Sequence, residues 1–155
     1  MEPVAFVEEV ESVELHELRR NVLRGGDLTA IVEDPRDDRP DSLHLAVRLD
    51  DGLVAIGSFY VSTSPRDPTQ PSMQLRYLAT DPGWQRHGLG AMLLREGEAL
   101  LIRRGVDSLW ANARDTALGF YLREGWEALP NSEHLSAETQ LPHTVIVKQL
   151  GHLER

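Results

Sequence analysis

Three strand patterns follow one another within residues 43–80, and this succession constrains the fold more than any other feature of the sequence. The first alternates apolar and polar residues over 43–49, the second is a mostly apolar run over 53–63, and the third covers 73–80. Asp50-Asp51-Gly52 predicts a hairpin turn between the first two, and a hairpin joins antiparallel strands. The sequence therefore predicts antiparallel neighbours rather than a doubly wound parallel sheet.

Helical patterns lie on either side of these strands. The elements expected outside 43–80 are a strand at 4–7, helices beginning near 12, 88 and 115, and strands at 106–113, 126–129 and 143–150. Ser12 and Asp115 are predicted helix caps, while Gly25-Gly26 and Gly105 are predicted helix ends. Gly97 lies inside the long helix, which predicts a close approach to the sheet. The order predicts an α/β (α+β) fold class, a mixed and mostly antiparallel sheet flanked by helices.

Composition and charge exclude several classes of protein. The chain has no cysteine, which excludes disulfides, thiolate zinc sites and a cysteine nucleophile. A formal net charge of −9 opposes a surface that follows nucleic-acid phosphates, so no nucleic-acid partner is expected. No apolar run approaches the roughly 20 residues that span a bilayer, and the N-terminus does not resemble a signal peptide. We therefore expect a cytoplasmic protein of one domain, residues 1–155, with no membrane partner.

A charged stretch with two prolines covers residues 33–41. It has no hydrophobic periodicity, and its Pro and Asp residues favour a loop. A solvated connector is the favoured interpretation, and a binding function is the alternative.

A glycine-containing loop opens the long helix directly after the Asp81-Pro82 break. The loop places Gly88 and Gly90 at a helix N-terminus, where unpaired N–H groups and the helix dipole attract anions. It lacks the third glycine and the strand-end acid of a dinucleotide fingerprint, and no Gly-Lys-Ser/Thr follows as in a Walker A loop. By itself a Gly-x-Gly pair is a weak sign of phosphate binding, so the context decides.

The context supplies a resemblance. Gln85-x-x-Gly88-x-Gly90, directly after a strand ended by Asp-Pro, resembles the pyrophosphate loop of the GNAT superfamily of acyl-CoA N-acyltransferases. The segment 112–126, with Phe120-Tyr121 and Gly125-Trp126, resembles that superfamily's strand and helix ending in an aromatic pair and a Gly-aromatic pair. The resemblance covers about residues 73–128. It implies the GNAT fold of a small, single-domain bacterial-type member, with acetyl-CoA as the acyl donor.

The resemblance also implies which residues contact acetyl-CoA. The strand before the glycine loop would pair through its backbone with the pantetheine arm, and the loop would hold the pyrophosphate largely through N–H groups. The residues implied for the pantetheine are Leu78, Ala79 and Thr80, and those for the pyrophosphate are Arg86, His87, Gly88, Leu89, Gly90 and Ala91.

Three residues in the second motif are candidates for the cleft. Tyr121 matches a tyrosine that often protonates the departing CoA thiolate, with core packing as the alternative. Arg114 stands where the superfamily often has asparagine, and it is expected either to meet a CoA phosphate or to be solvated. Asn112 is a candidate for facing the cleft from its strand.

The general base is harder to place, because strand 73–80 lacks the carboxylate that many relatives use. His143, at the start of the last strand, is the best replacement because imidazole exchanges protons near neutral pH, and a structural histidine is the alternative. The other histidines show no ligand-like pairing, so no metal is expected.

The acceptor pocket is expected from the first helix, the loop after it and residues 129–143. Arg19, Arg24 and Arg76 are candidates for binding an acceptor carboxylate, with solvated side chains as the alternative. The sequence as a whole predicts an N-acetyltransferase that transfers an acetyl group from acetyl-CoA to a primary amine of a small molecule or protein, by direct attack in a ternary complex. The alternative is a non-catalytic acyl-CoA-binding regulatory module. A homodimer is a further expectation.

Overall fold

A computed structural model describes residues 4–151 of the chain. Its strands are β1 (Phe6–Glu9), β2 (Leu43–Leu49), β3 (Gly52–Val61), β4 (Ser72–Thr80), β5 (Ser108–Arg114), β6 (Glu127–Ala128), β7 (His134–Leu135) and β8 (Pro142–Gln149). Its α-helices are α1 (His16–Leu18), α2 (Leu89–Arg103) and α3 (Asp115–Arg123). The N-terminal residues 1–3, on which the absence of a signal peptide partly rests, and His152 lie outside the described residues.

The predicted fold class is confirmed, with changes in detail. The first helical segment is irregular, because a 3₁₀ turn over Ser12–Leu15 precedes α1 and a π-helical turn over Arg19–Leu23 follows it. Its cap is Glu11 rather than Ser12. Arg114 rather than Asp115 caps α3, since β5 continues to the first residue before that helix.

Two strands begin later than the sequence patterns predict, and a third strand was not predicted. β1 begins at Phe6 rather than at Val4. β5 begins at Ser108 rather than near Val106. β7 has no sequence signal, because two residues carry no readable periodicity.

The described chain divides into two compact units. Unit 1 contains Leu75–Leu100 and the described residues up to Tyr60, and unit 2 contains Val61–Gln74 and the described residues from Leu101 onward. In unit 1, β1 to β4 are neighbours in order, and the β1–β2 and β2–β3 pairs are antiparallel. In unit 2, the first residues of β4 pair in parallel with β5, β5 pairs antiparallel with β8, and β6 and β7 both pair with β8.

Both faces of the β2–β3 pair are covered, which explains why the two strands are almost entirely buried. The face that carries Ala46 and Ile56 packs against Leu15 and Leu18 of the first helical segment. Successive side chains of a strand point to opposite faces, so Leu45 and Phe59 face the other way, toward Gly97 of α2. The predicted close approach of α2 at Gly97 is therefore confirmed.

We expect Gly97→Ala to destabilise the protein. A Cβ at Gly97 would lie 2.9 Å from Cζ of the buried Phe59 ring and 3.2 Å from Leu45 Cδ1. Overpacking of this kind costs about 1–3 kcal/mol, which outweighs the roughly 1 kcal/mol gained in helix propensity. Urea unfolding measures the change.

Gly119 on α3 is the matched control. It is exposed, and an added Cβ would meet only the far end of Arg123 at 3.4 Å. Gly119→Ala should therefore raise the free energy of unfolding by up to about 1 kcal/mol. Equal stabilisation by both substitutions would contradict the tight contact at Gly97.

Candidate functional site

The glycine loop of unit 1 is exposed in its middle and anchored at both ends. Asp81 Oδ1 accepts a hydrogen bond of 2.9 Å from the Gly83 N–H, and the Gln85 amide donates to the Thr80 carbonyl at 3.1 Å. Leu89, the first residue of α2, is buried. Residues 85–88 between these anchors are open to solvent.

The backbone of this loop suits an anion. Arg86 and Gly88 both have left-handed backbone conformations, with φ of 69° and 74°. Alternation of left- and right-handed residues turns successive N–H groups into a concavity, and the first turn of a helix adds N–H groups without partners in the helix. A Cβ at Gly88 would meet nothing within 4 Å, so the space beside the loop is open. The residues at 86–91 therefore fit a pyrophosphate.

β4 leads into this loop and has an irregular backbone. Tyr77 has φ of 60°, a left-handed conformation that aromatic residues rarely adopt. The parallel ladder with β5 covers Ser72–Gln74, so the edge of β4 after Gln74 lies outside that ladder. Leu78 and Thr80 are half-buried, and Ala79 is buried. A strand edge of this kind can accept an extended ligand through its N–H and C=O groups.

A buried ion pair lies under the first helical segment. Arg19, which is 1% exposed, donates to both carboxylate oxygens of Asp37, at 2.8 Å and 3.1 Å. Arg19 also donates to Ser58 Oγ at 2.9 Å, and the Tyr60 hydroxyl donates to Asp37 Oδ1. Burial opposes ionisation of Asp37, but the hydrogen bonds from Arg19 and the Asp34 backbone outweigh it and lower its pKa.

Asp34 is the centre of a second group of buried charge pairs, near the Arg19–Asp37 pair in the same stretch. It accepts hydrogen bonds from the Arg36 N–H at 2.9 Å, from Arg36 Nε at 3.0 Å and from Arg76 Nη1 at 3.2 Å. The Tyr77 hydroxyl donates to Asp34 Oδ2 at 3.0 Å. Burial disfavours the charged form, yet the hydrogen bonds from Arg36 and Tyr77 hold the pKa of Asp34 well below its usual range.

These two centres correct two expectations. The stretch 33–41 is not a solvated connector, because Asp34 and Asp37 are only 6% and 7% exposed. Arg19 and Arg76 are not solvated helix or strand arginines awaiting an acceptor carboxylate, since each pairs with one of these aspartates. Their pairing depends on contacts between distant segments, for which the sequence carries no local signal.

Arg24 remains in the expected acceptor region of unit 1. With Leu23, Val32 and Tyr77 it lines a shallow surface depression. Sequence reasoning placed the acceptor near the first helix and the loop after it, and the depression lies there. The expected contribution of residues 129–143 stays a prediction.

Unit 2 brings three predicted site residues onto one face of the β5–β8 pair. Arg114 lies opposite His143, and Asn112 lies opposite Val145. Directly opposed residues share a face, as do residues two apart on one strand. Asn112 is exposed and Arg114 and His143 are half-buried, whereas the alternate residues Ala111 and Ala113 are buried. Asn112, Arg114 and His143 therefore form one polar patch.

The hydrogen bonding of His143 defines its tautomer. Nδ1 lies 2.8 Å from the Leu141 carbonyl oxygen, which can only accept, so Nδ1 carries the hydrogen. In the neutral ring this leaves the lone pair on Nε2. His143 can therefore accept a proton at Nε2.

Tyr121 lies on α3 and is 8% exposed. Its ring makes edge-to-face contacts with Phe120 and Trp126, with centroid distances of 5.2 Å and 5.4 Å. Burial raises the pKa of Tyr121, so the hydroxyl keeps its proton at neutral pH. The environment is compatible with a proton donor and also with a packed core tyrosine.

Two further findings concern metal-binding groups and membrane-spanning helices. Among residues 4–151, no three His, Cys, Asp or Glu side chains are grouped so that they could hold a metal ion. Over the same residues, no helix has the length and apolar character that crossing a membrane requires.

Comparisons with known proteins agree with these features. Residues 12–126 match the acetyltransferase (GNAT) family, and the chain belongs to that family. The uncharacterised N-acetyltransferase YitI of Bacillus subtilis (strain 168) is 29% identical over 123 residues, which are 79% of this chain and 83% of that protein.

Solved structures confirm the fold. An aminoglycoside 6'-N-acetyltransferase complexed with coenzyme A has a TM-score of 0.75 at 13% identity, covering 97% of this chain and 99% of that one. The ribosomal-protein-S18-alanine N-acetyltransferase from Escherichia coli has a TM-score of 0.71 at 16% identity, covering 98% and 97%. The protein is thus an acetyl-CoA-dependent N-acetyltransferase that binds acetyl-CoA and an acceptor, as the sequence predicts.

The buried aspartates predict a loss of stability in acid. A carboxylate whose pKa is lowered by folding stabilises the protein above its unfolded pKa, and this contribution disappears as the pH falls through the folded value. We expect Asp34→Asn to lower the melting temperature at about pH 7 and to reduce the further loss between about pH 4 and pH 2. Thermal unfolding across this range measures both effects.

Asp38→Asn is the control, because Asp38 is exposed in the same stretch. It should change neither the melting temperature at neutral pH nor its decline in acid. The same acid profile in Asp34→Asn and the parent would contradict the role of Asp34.

Proposed function

We propose that this enzyme acetylates a primary amine of a small molecule or protein by direct attack in a ternary complex, with the glycine loop holding the pyrophosphate of acetyl-CoA. The observation that carries the proposal is the pair of left-handed residues Arg86 and Gly88 before α2, inside the segment that matches the family. Backbone N–H groups of residues 86–91 would bind the phosphates, and Arg86 would add positive charge.

The backbone edge of β4 supports the binding of the pantetheine arm. In this proposal Leu78, Ala79 and Thr80 hydrogen-bond the arm through N–H and C=O groups, as an added strand would. Arg114 binds a CoA phosphate, and Asn112, on the same face, supplies a further polar contact. These roles agree with the exposed backbone of the loop and the half-buried side chains of Arg114 and Thr80.

In this proposal His143 is the general base and Tyr121 is the general acid. His143 takes the proton from the ammonium group of the acceptor at Nε2, since Nδ1 donates to Leu141. The amine nitrogen then forms a bond to the thioester carbonyl carbon and releases its second proton to solvent, and the C–S bond breaks. Tyr121 donates a proton to the departing sulfur and recovers it from solvent. A thiolate whose conjugate acid has a pKa of about 8.5 leaves tolerably by itself, so the hydroxyl accelerates the step without being indispensable.

The proposal extends to organisation and location. We propose that residues 1–155 act as one domain, that the protein is cytoplasmic, and that two copies form a homodimer. Exposed apolar side chains such as Leu28 and Ile31 are compatible with a second copy. Sedimentation velocity at several concentrations tests the dimer.

Gly88→Val should weaken acetyl-CoA binding at least tenfold, about 1.4 kcal/mol, because a side chain there would obstruct the approach of the phosphates. Isothermal calorimetry measures the affinity. Gly105→Val is a matched control, since Gly105 also has a left-handed backbone (φ of 83°), also faces open space, and lies beyond the other end of α2. Equal affinities in the two variants would contradict the phosphate site.

Tyr121→Phe should lower turnover by about 10²-fold or more, because a positioned acid contributes at least that much. Acetyl-CoA affinity should change less than about fivefold, since only one neutral hydrogen bond is lost. The measurement is release of CoA thiol with a panel of amines, amino acids and peptide N-termini. The ring stays, so the packing against Trp126 is kept.

Three outcomes would overturn parts of this proposal. Parent-like turnover in a folded Tyr121→Phe variant would remove the hydroxyl as the acid. Reduced turnover with equally reduced acetyl-CoA affinity would make Tyr121 a cofactor-positioning residue. Acetyl-CoA binding by the parent without turnover on the whole panel would favour a regulatory module.

A further inference from the structure

A strained residue interrupts β4 immediately before the segment proposed to bind pantetheine. Tyr77 adopts φ of 60°, and Leu78 follows it directly. Such a conformation costs free energy in a bulky residue and persists only where the surroundings hold it. Irregular residues of this type in a strand re-aim the groups that follow them.

Three contacts hold the side chain of Tyr77. Its hydroxyl donates to Asp34 Oδ2 at 3.0 Å. The guanidinium of Arg19 lies 4.3 Å from the ring centroid, and that of Arg76 lies 4.5 Å from it. A ring that is bonded at its tip and stacked by two cations cannot rotate without breaking these contacts.

Asp34 is itself held in place. Its side chain is 2% exposed, its Oδ1 accepts from the Arg36 N–H and Arg36 Nε, and its Oδ2 accepts from Arg36 Nη2 and Arg76 Nη1. The Tyr77 hydroxyl therefore binds an oxygen whose position the loop 33–41 defines. Asp34 contacts β4 through Tyr77 and Arg76. Of these two residues it is Tyr77 that carries the left-handed backbone directly before Leu78.

We propose that Asp34 is a positioning residue for acetyl-CoA. By holding the Tyr77 side chain, it keeps the left-handed residue in β4 and thereby sets the direction of the N–H and C=O groups at Leu78–Thr80. A shift of one residue in a strand reverses the side to which every following group points. Loss of the hydrogen bond between Asp34 and Tyr77 would therefore turn the N–H and C=O groups of residues 78–80 away from the pantetheine arm. The inference rests on the proposed function, in which this edge binds the pantetheine arm.

The chain contains a matched control for this role. The hydroxyl of Tyr60 also donates to a buried aspartate of the same stretch, Asp37, and the Tyr60 backbone is regular strand. Tyr77→Phe and Tyr60→Phe therefore each remove one hydroxyl that donates to a buried carboxylate. A purely structural role predicts the same outcome for both.

The test is acetyl-CoA affinity by calorimetry, at a temperature at which circular dichroism shows every variant to be folded. We expect Tyr77→Phe to weaken binding at least fivefold and Tyr60→Phe to change it less than twofold. Equal affinities of the two variants would overturn the role of Asp34 while leaving the proposed function intact. Failure of the parent protein to bind acetyl-CoA would instead overturn the proposed function.

A double-mutant comparison tests the route through Tyr77. Glycine adopts the left-handed conformation without support, so Tyr77→Gly removes the need for Asp34. We expect Asp34→Asn to weaken acetyl-CoA binding at least fivefold in the parent and less than twofold in the Tyr77→Gly background. The same fold-change in both backgrounds would show that Asp34 acts independently of Tyr77 and would overturn the proposal. If Asp34→Asn does not fold, the tyrosine pair decides.

Discussion

The pairing of Asp34 and Asp37 with arginines is the interaction on which the arrangement of unit 1 depends. Removing two carboxylates from water is costly, and only close positive partners and hydrogen-bond donors make their burial tolerable. Arg19, in the first helical segment, is the positive partner of Asp37, and Arg76, on β4, is a positive partner of Asp34. The stretch 33–41 is thereby bound to both elements, although it contains no regular helix or strand.

This pairing divides one face of the β2–β3 pair into two parts. Ala46 and Ile56 pack against leucines of the first helical segment. His44 and Ser58, next along the same face, are hydrogen-bonded to each other, and Ser58 also accepts from Arg19. A helix that buried only apolar residues could slide along the sheet, because hydrophobic contacts are not directional. Hydrogen bonds from Arg19 to Ser58 and Asp37 specify one position instead. Arg19 also lies against the Tyr77 ring, so the edge of β4 that we propose for acetyl-CoA and the packing of the helix depend on the same arginine.

Unit 2 places its candidate groups by a different means. The antiparallel register of β5 and β8 sets Arg114 opposite His143, and the alternation of side chains puts Asn112 on the same face. Tyr121 is placed by α3, where contacts with Trp126 hold its ring. A backbone carbonyl orients His143, and burial keeps Tyr121 protonated. The two proposed proton-transfer groups thus differ in environment, as an acid and a base that act in one reaction must.

The sequence by itself determined those features that depend on neighbours within a few residues. Alternation over 43–49, the turn at Asp50-Asp51 and the glycine loop before α2 are local patterns, and the structure follows them closely. The tertiary structure alone decided which charges are buried. Asp37 meets Arg19 across 18 positions, and Asp34 meets Tyr77 across 43, distances over which propensity and periodicity carry no information. It also imposed the left-handed backbone at Tyr77, because only contacts that form on folding can support a conformation that the residue disfavours by itself.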